Sequence, residues 1–558
     1  MESPGSEMFP FVDWEKIDPE ASERYQKILE SEHQRLKAMG REGFWATPHT
    51  LRAKAYYHII HGIHSRCVSP ERDMYYELSR KLFGEQKLST HPVPEYMEAG
   101  EIPRYKHCLN KAGVNSVKKI LLCLGKYFPE MNFCPILPAL VSLILHFSQD
   151  EAECFYSVSR LICYNDPNKR YIDQTFLTYR ASCMTFGDLA NRCCRGIRKL
   201  IASSHQNLFE FYSDWIMWIF ADLPFTYAIR VLDVYLLEGY KVLYRFAVIF
   251  FSAFIPPQKV ADVEDFRTDM KRFVQNVARH CTAENLLERA FLVPIATRRE
   301  LNLLFKANKV SLMQKGWFLN VTVSPRVFSS YRQSVDTVDF NNLSSSVVTG
   351  TEMRVVWAWI PERFALFSPI KLFSTTEHGE SLASFYYHVE GHEPAVLIIK
   401  TVDEEVFGAF ISSDMAERHK YDTDKATFFG TCECFVFTVS HPALHGKCIG
   451  MATNVKKYDC SFSFVPAWSA TNDYLTIPFT APSQEQFTVS TSFCLFSGGN
   501  GGHALCFQQN LEAGYTEPCD TFKSPPLCKR HFKIQSMEVW GIQNSICFSQ
   551  PFPSQQNI

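Results

Sequence analysis

Two basic pairs share a spacing that suits anion chemistry. Lys37 and Arg41 stand four residues apart, and Lys241 and Arg245 repeat that spacing far downstream. On a helix, the spacing puts both side chains of a pair on one face. Arginine grips phosphate with two parallel N–H donors, and lysine adds a point charge. If the pairs converge, they suit a headgroup that carries several phosphates. If they do not, they are two solvated helix faces, and the residues leave both readings open. Two other groups are weaker candidates. His388-x-Glu390-x-His392 alternates metal-ligand types, but Gly391 and β-rich flanks argue against a helical i,i+4 face, so no metal is expected. The run Gly498-Gly499-Asn500-Gly501-Gly502 lacks the Gly-x-x-x-x-Gly-Lys-Ser/Thr spacing and reads as tight backbone turns. No cofactor is expected.

The elements that must position these residues fall into two textures. Residues 21–300 read as helical. Apolar runs at 118–124, before a breaker at Pro129, and at 140–147 and 286–291 carry the pattern. So does 152–162, with Phe155, Val158, Leu161 and Ile162 at helical spacing. After about residue 310 the chain turns rich in Ser, Thr, Val and Asn, and then in strands. The β-rich runs 395–400 and 406–411 flank a turn-like Val402-Asp403-Glu404-Glu405, which predicts a hairpin. Residues 434–439 form another β-rich run.

Composition narrows the partners. The chain has 558 residues, 46% hydrophobic and 21% charged, with a formal net charge of −2. No whole-chain field attracts nucleic acid or membrane, so an anion site must be local. The 46 Phe residues suit well-filled cores. The 19 cysteines are odd in number and contain no Cys-x-x-Cys, and the start does not resemble a signal peptide. They are expected as reduced thiols packed like small hydrophobes. The longest apolar stretch, 134–145, is interrupted by Pro135 and Pro138 and falls short of the roughly 18 residues a membrane span needs.

The run at 230–245, with Trp215, Trp218, Leu223 and Pro224 upstream, resembles the C-terminal signature of the TBC domain. That helical module stimulates GTP hydrolysis by Rab GTPases. It supplies an arginine from Ile-x-x-Asp-x-x-Arg and a glutamine from Tyr-x-Gln. An arginine finger is worth roughly 10³–10⁵ in rate. Here the first motif stands as Ile60-His61-Gly62-Ile63-His64-Ser65-Arg66. Arg66 keeps the spacing, but Ile63 replaces the aspartate that would orient it. Arg66 is either a finger without its carboxylate or an ordinary surface residue. The second motif falls in Pro129-Glu130-Met131-Asn132-Phe133-Cys134-Pro135, where Phe133 replaces the tyrosine and Pro135 the glutamine. Proline has no side-chain donor or acceptor to hold a water. The resemblance therefore implies at most a weak GTPase activator, with no catalysis of its own.

The C-terminal part resembles a TLDc domain. Ordered matches include Pro361-Glu362-Arg363-Phe364, His378-Gly379-Glu380-Ser381-Leu382, Phe428-Phe429-Gly430-Thr431, the glycine run at 498–502 and Glu538-Val539-Trp540-Gly541. A TBC domain followed by TLDc is similar to the Skywalker-like TBC/TLDc family. That resemblance implies a multidomain chain, with an all-α TBC domain followed by an α+β TLDc domain on a β-sandwich-like core. The expected divisions are a poorly ordered tail at 1–20, TBC at 21–310, a linker at 311–345 and TLDc at 346–556, with a long loop at 466–490.

The implied function is a peripheral-membrane regulator of vesicle trafficking. It would bind phosphoinositide membranes through Lys37, Arg41, Lys241 and Arg245, and small GTPases of the Rab or Arf type. The family also implies contact with the vacuolar proton pump and protection from oxidative stress. It implies a cytoplasmic protein on the cytosolic face of plasma membrane and vesicles, including presynaptic ones. Two alternatives stay open. One is an active Rab GTPase activator that uses Arg66 and borrows the GTPase's own glutamine. The other is an oxidative-stress protein in which TLDc dominates.

Overall fold

Side-chain caps start several of the helices described below. Asn110, Asp150, Thr175, Thr282 and Thr297 each accept a hydrogen bond from the backbone N–H three residues on. Each satisfies one of the donors that a helix start leaves orphaned. The computed structural model describes residues 33–45, 49–63, 72–84, 109–164, 169–194, 211, 213–254, 263–293, 295–315, 338, 340, 343–420, 427–429, 433–440, 454–459, 477–479, 492–497, 503–519, 522 and 524–542. The chain divides into two compact units, Met1–Val335 and Asp336–Ile558.

Among the described residues, the first unit is a stack of helices. In chain order they are α1 His33–Glu42, α2 His49–His61, α3 Arg72–Phe83, α4 Lys111–Tyr127, α5 Leu137–Leu145, α6 Glu151–Cys163, α7 Phe176–Cys193, α8 Met217–Phe220, α9 Phe225–Glu238, α10 Lys241–Ala253, α11 Val263–Gln275, α12 Ala283–Leu292 and α13 Arg298–Gln314. Helix α5 is apolar all round and buried along its length, as such a helix must be. Helix α9 is the hub: it is buried from Tyr227 to Glu238, and α1, α2, α10 and α12 pack on it. It ends at Gly239, whose φ of 73° lies in the left-handed region. A Cβ there would stand 2.8 Å from the Arg170 carbonyl oxygen. The sharp turn it permits starts α10 two residues later and sets the end of α9 beside Lys241.

The second unit is built on an antiparallel sheet that runs β6-β5-β3-β2-β11-β10-β9-β8, with β1 also on β11. Its strands are β1 Pro369–Ser374, β2 Ala395–Thr401, β3 Val406–Ile411, β5 Phe435–Ser440, β6 Asn454–Asp459, β8 Ser492–Ser497, β9 His503–Gln508, β10 Ala513–Tyr515 and β11 His531–Ile542; β4 Thr427–Phe429 pairs separately with β7 Ile477–Phe479. The central strands are covered on both faces. Ala395, Leu397 and Ile399 enter one core and Val396 and Ile398 the other, as the two-residue period of a strand requires. Ala504, Leu505 and Phe507 of β9 share a core with Ala409 and Val436 of β3 and β5, although several strands separate them in the sheet order. The sheet must therefore curl. Helix α14, Gly350–Trp357, covers the outer core, and α17, Leu382–Val389, packs into the inner one. Short helices at Glu362–Ala365 and Thr375–His378 are α15 and α16.

Several expectations meet the structure here. The expected hairpin is β2–β3, paired from Ala395↔Ile411 to Lys400↔Val406. The expected loop at 466–490 is corrected: Ile477–Phe479 is a strand, held by Thr427–Phe429. Its partner lies far upstream, so no local alternation could announce it. Residues 466–476 and 480–490 lie outside the described residues, as do the tail at 1–20 and the glycine run at 498–502. Helix α13 runs on to Gln314, and Phe340 is already buried in the second unit's outer core. The all-thiol reading is also corrected. Cys506 is disulfide-bonded, and Cys494 stands opposite it in register on the neighbouring strand. Cys123, Cys134, Cys154, Cys183 and Cys194 are free and buried.

Strand β11 completes the sheet. Trp540 lies opposite Lys371 of β1 and Val396 of β2, is 3% exposed, and donates its indole N–H to Glu538 at 3.2 Å. Trp540→Ala should cost the second unit about 3–5 kcal/mol. Calorimetry of the full chain should show that unit's transition lowered and the helical unit's unchanged. An unshifted transition would mean that the indole is not part of the core's stability.

Candidate anion site in the helical unit

The site rests on a buried charge cluster. Arg52 of α2 makes a two-pronged contact with Asp233 of α9, Nε to Oδ1 at 2.8 Å and Nη2 to Oδ2 at 3.0 Å. These side chains are 1% and 0% exposed. Tyr56 donates its hydroxyl to the same carboxylate at 2.7 Å. Burial, and next the charge of Asp233, push the Tyr56 phenol well above its usual range, so it stays a donor. Arg230 adds a third contact to Asp233 at 2.7 Å and donates to the carbonyls of Gly40 and Arg41 at 3.2 and 3.3 Å. Those carbonyls lie in the last turn of α1. One carboxylate thus ties α2 and, through Arg230, the end of α1 to α9. Gly40 allows the close approach, since a Cβ there would stand 2.7 Å from Leu237.

That clamp brings Arg41 to the same aromatic ring as Arg245. The guanidinium of Arg41 lies 4.2 Å from the Phe291 ring centroid, and that of Arg245 lies 5.1 Å from the same ring. Arg245 also donates to the carbonyls of Ala290 and Val293 at the end of α12, at 3.2 and 2.8 Å. Its Nε is buried without a partner among the described residues. Glu238, the last residue of α9, accepts from Arg41 Nε at 2.6 Å. Its backbone oxygen accepts from Arg298 at 3.1 Å. Burial pushes the Lys241 ammonium down to about 8, helped by Arg245 and Arg298 and opposed by Glu238 and Glu300. Burial likewise lowers Arg245, with Glu238 opposing and Arg41 adding to the shift. Lys37 is half-buried, one turn before Arg41 on α1.

Arg41, Lys241 and Arg245 therefore share one neighbourhood. Arg298 and Glu238 belong to it too, and sequence reasoning missed both. Glu238 stood in the helical signature without a basic partner in view. Arg298 follows the Thr297 cap, with no periodic signal that links it to Lys241. The arrangement can hold an anion against several cations, one of which already bears the strain of its neighbours.

The catalytic motifs fare differently. Arg66 lies outside the described residues. The helix before it is tethered, because Arg160 donates to the carbonyls of Ile60 at 3.0 Å and His61 at 2.9 Å, and to Ile63. Ile63 itself is buried, where the TBC pattern has a carboxylate. Pro135 is buried in the turn before α5. Upstream, Asn132 and Phe133 donate backbone N–H groups to the Gln174 carbonyl at 3.0 and 3.3 Å. In the second unit, His388 Nδ1 bonds the Ser384 carbonyl at 2.8 Å, and its ring lies 4.0 Å from that of His378. Among the described residues no three metal-ligand side chains gather, and no helix is long and apolar enough to cross a membrane.

Comparison with known proteins gives these geometries a class. The Rab-GTPase-TBC domain family matches residues 90–257, and the TLDc domain family matches residues 341–543. The molecule is a TBC domain followed by a TLDc domain. TBC1 domain family member 24 of Xenopus laevis is 42% identical, over 96% of this chain and 97% of its own length. The GTPase-activating protein skywalker of Drosophila melanogaster is 26% identical, over 92% of this chain and 89% of its own. The chain belongs to the TBC/TLDc family that these two proteins represent. The solved TBC domain of Skywalker/TBC1D24 from Drosophila melanogaster, in complex with inositol(1,4,5)triphosphate, is 23% identical over 50% of this chain and 97% of that one, with a TM-score of 0.42. At that score the structural likeness decides nothing about this chain.

Asp233→Asn should show what the clamp contributes. It leaves two buried guanidiniums without their carboxylate and should destabilise the helical unit by about 3–5 kcal/mol. The check is the helical transition in denaturant unfolding of the full chain. A loss below about 1 kcal/mol would mean that water or neighbours replace the carboxylate.

Proposed function

We propose that the protein is a peripheral-membrane regulator of vesicle trafficking that reads phosphoinositides through its helical unit. The observation that carries this reading is the meeting of Arg41 and Arg245 at one aromatic ring, with Lys241 and Arg298 beside them. Like charges held this close are relieved by an anion, and several cations at different depths suit several phosphates. Lys37 extends the same face of α1. Family membership supports the trafficking role.

The same reading includes binding of small GTPases of the Rab or Arf type with weak activation or none. A buried isoleucine stands where a carboxylate should orient Arg66, and a buried proline where a glutamine should hold water. The second unit is read as a binding domain rather than a catalytic one. Its proposed occupants are a proton pump and a partner in oxidative defence, and binding assays with each distinguish them.

Vesicles with phosphatidylinositol 4,5-bisphosphate should bind the wild-type chain, and a folded Arg41→Glu/Arg245→Glu variant should lose that binding. The difference should be largest at low ionic strength, where screening is least. Equal binding by both would reject the pocket. GTP hydrolysis across a panel of Rab and Arf proteins should be stimulated weakly, and Arg66→Ala should remove what remains. Stimulation of about 10³-fold or more that survives Arg66→Ala would reject the degenerate-motif reading.

A further inference from the structure

The basic cluster contains a carboxylate that a simple anion site would not need. Arg41 Nε and Nη2 both contact Glu238 Oε1, at 2.6 and 2.5 Å. The Glu238 side chain is 7% exposed, against 44% for Arg41. Glu238 also receives Arg298 on its backbone oxygen. Its negative charge sits at the C-terminus of α9, where the helix dipole disfavours it, so the cations around it must hold it there. Arg41 is the outermost of these groups and already has an anion as partner.

We propose that Glu238 is a resident counter-ion that Arg41 exchanges for a phosphate, and that it thereby sets how many phosphates a ligand must bring. This rests on the anion-site reading above. An incoming phosphate that takes Arg41 from Glu238 replaces one charge-assisted contact with another, so the exchange by itself gains little. It also leaves the Glu238 carboxylate near the new anion, and the two repel. A lone phosphate therefore binds weakly. A headgroup with several phosphates reaches Arg245, Lys241 and Arg298 together, and those contacts outweigh the exchange. Glu238 selects against singly phosphorylated ligands by repulsion rather than by shape.

Protonation gives a second signature. The charged groups that act on Lys241 are Arg245 and Arg298, which lower it, and Glu238 and Glu300, which raise it. With no anion bound, Lys241 loses its proton near pH 8, and a bound phosphate favours the charged form. Affinity is therefore highest below that pH and falls as pH rises through it. Without the Glu238 charge one raising influence is gone, so the fall begins at lower pH.

The test is calorimetric titration of the full chain with inositol 1,4,5-trisphosphate and with inositol 1-phosphate, across the pH range of the Lys241 transition. Flotation with phosphatidylinositol 4,5-bisphosphate vesicles separates a lipid source from a soluble one. Glu238→Gln should bind the trisphosphate about tenfold tighter. It should gain proportionally more for the monophosphate, and its pH-dependent loss should start lower. Glu238→Asp keeps a charge for folding but withdraws it from Arg41 by one methylene. It should shift in the same direction by a smaller factor, and it decides the matter if the glutamine variant does not fold. A wild-type chain that binds neither soluble ligand nor vesicle overturns the anion site itself. A wild-type chain that binds, with folded variants of unchanged or weaker affinity and an unmoved pH profile, makes Glu238 a scaffold residue and overturns the exchange.

Discussion

The buried carboxylate of Asp233 holds the helical unit's site in place. Two arginines and a tyrosine hydroxyl converge on it in a region without solvent. Removing that carboxylate would leave two buried guanidiniums uncompensated, which is far costlier than losing an exposed ion pair. Arg52 and Tyr56 come from the sequence-distant α2, and Arg230, on α9 itself, passes the constraint on to the last turn of α1. The position of Arg41 follows from that connection. The pocket above is made of exposed and half-exposed cations, and it inherits its geometry from a polar cluster that touches no ligand.

The second unit uses a similar device for a different purpose. Glu538, fully buried on β11, accepts from the Ser345 hydroxyl at 2.6 Å, from the Ser346 amide and hydroxyl at 2.9 and 3.0 Å, and from the Trp540 indole at 3.2 Å. These hydrogen-bond donors are neutral, the Lys371 ammonium stands 4.0 Å from the carboxylate, and together they replace the water that it gave up. The segment before α14 is thereby fastened to the central strand of the sheet. Each unit thus anchors an early segment on a late element through one buried acid. Such contacts close long loops and make the unit cooperative at the cost of slow, non-local pairing.

The clustered cations have the opposite character. Burial lowers both Lys241 and Arg245, with Arg245 and Arg298 adding to the shift of Lys241 and Arg41 to that of Arg245, so the site holds its charges against their preference. Preorganised charge of this kind is what an anion binder needs, because the unfavourable ordering is met in folding and not at the moment of binding. The Phe291 ring contributes by giving two guanidiniums one face-rich partner that fixes them without neutralising them.

The sequence by itself determined the order of the two domains, the helical and strand-rich textures, the hairpin β2–β3 and the candidates Arg41 and Arg245. These are local signals: i,i+4 spacing, apolar period, turn residues and motif order all act within a few residues. It also placed a proline at 135, and proline's lack of a side-chain donor or acceptor does not depend on its surroundings. Only the tertiary structure decided that Arg41 and Arg245 meet at one ring. It added Arg298 and Glu238 to them, set Cys506 opposite Cys494, and made a strand of Ile477–Phe479. Each of these depends on segments far apart in the chain, brought together by helix packing or strand register. Chain spacing carries no record of such distances, because they are set by which buried faces and buried charges must find one another.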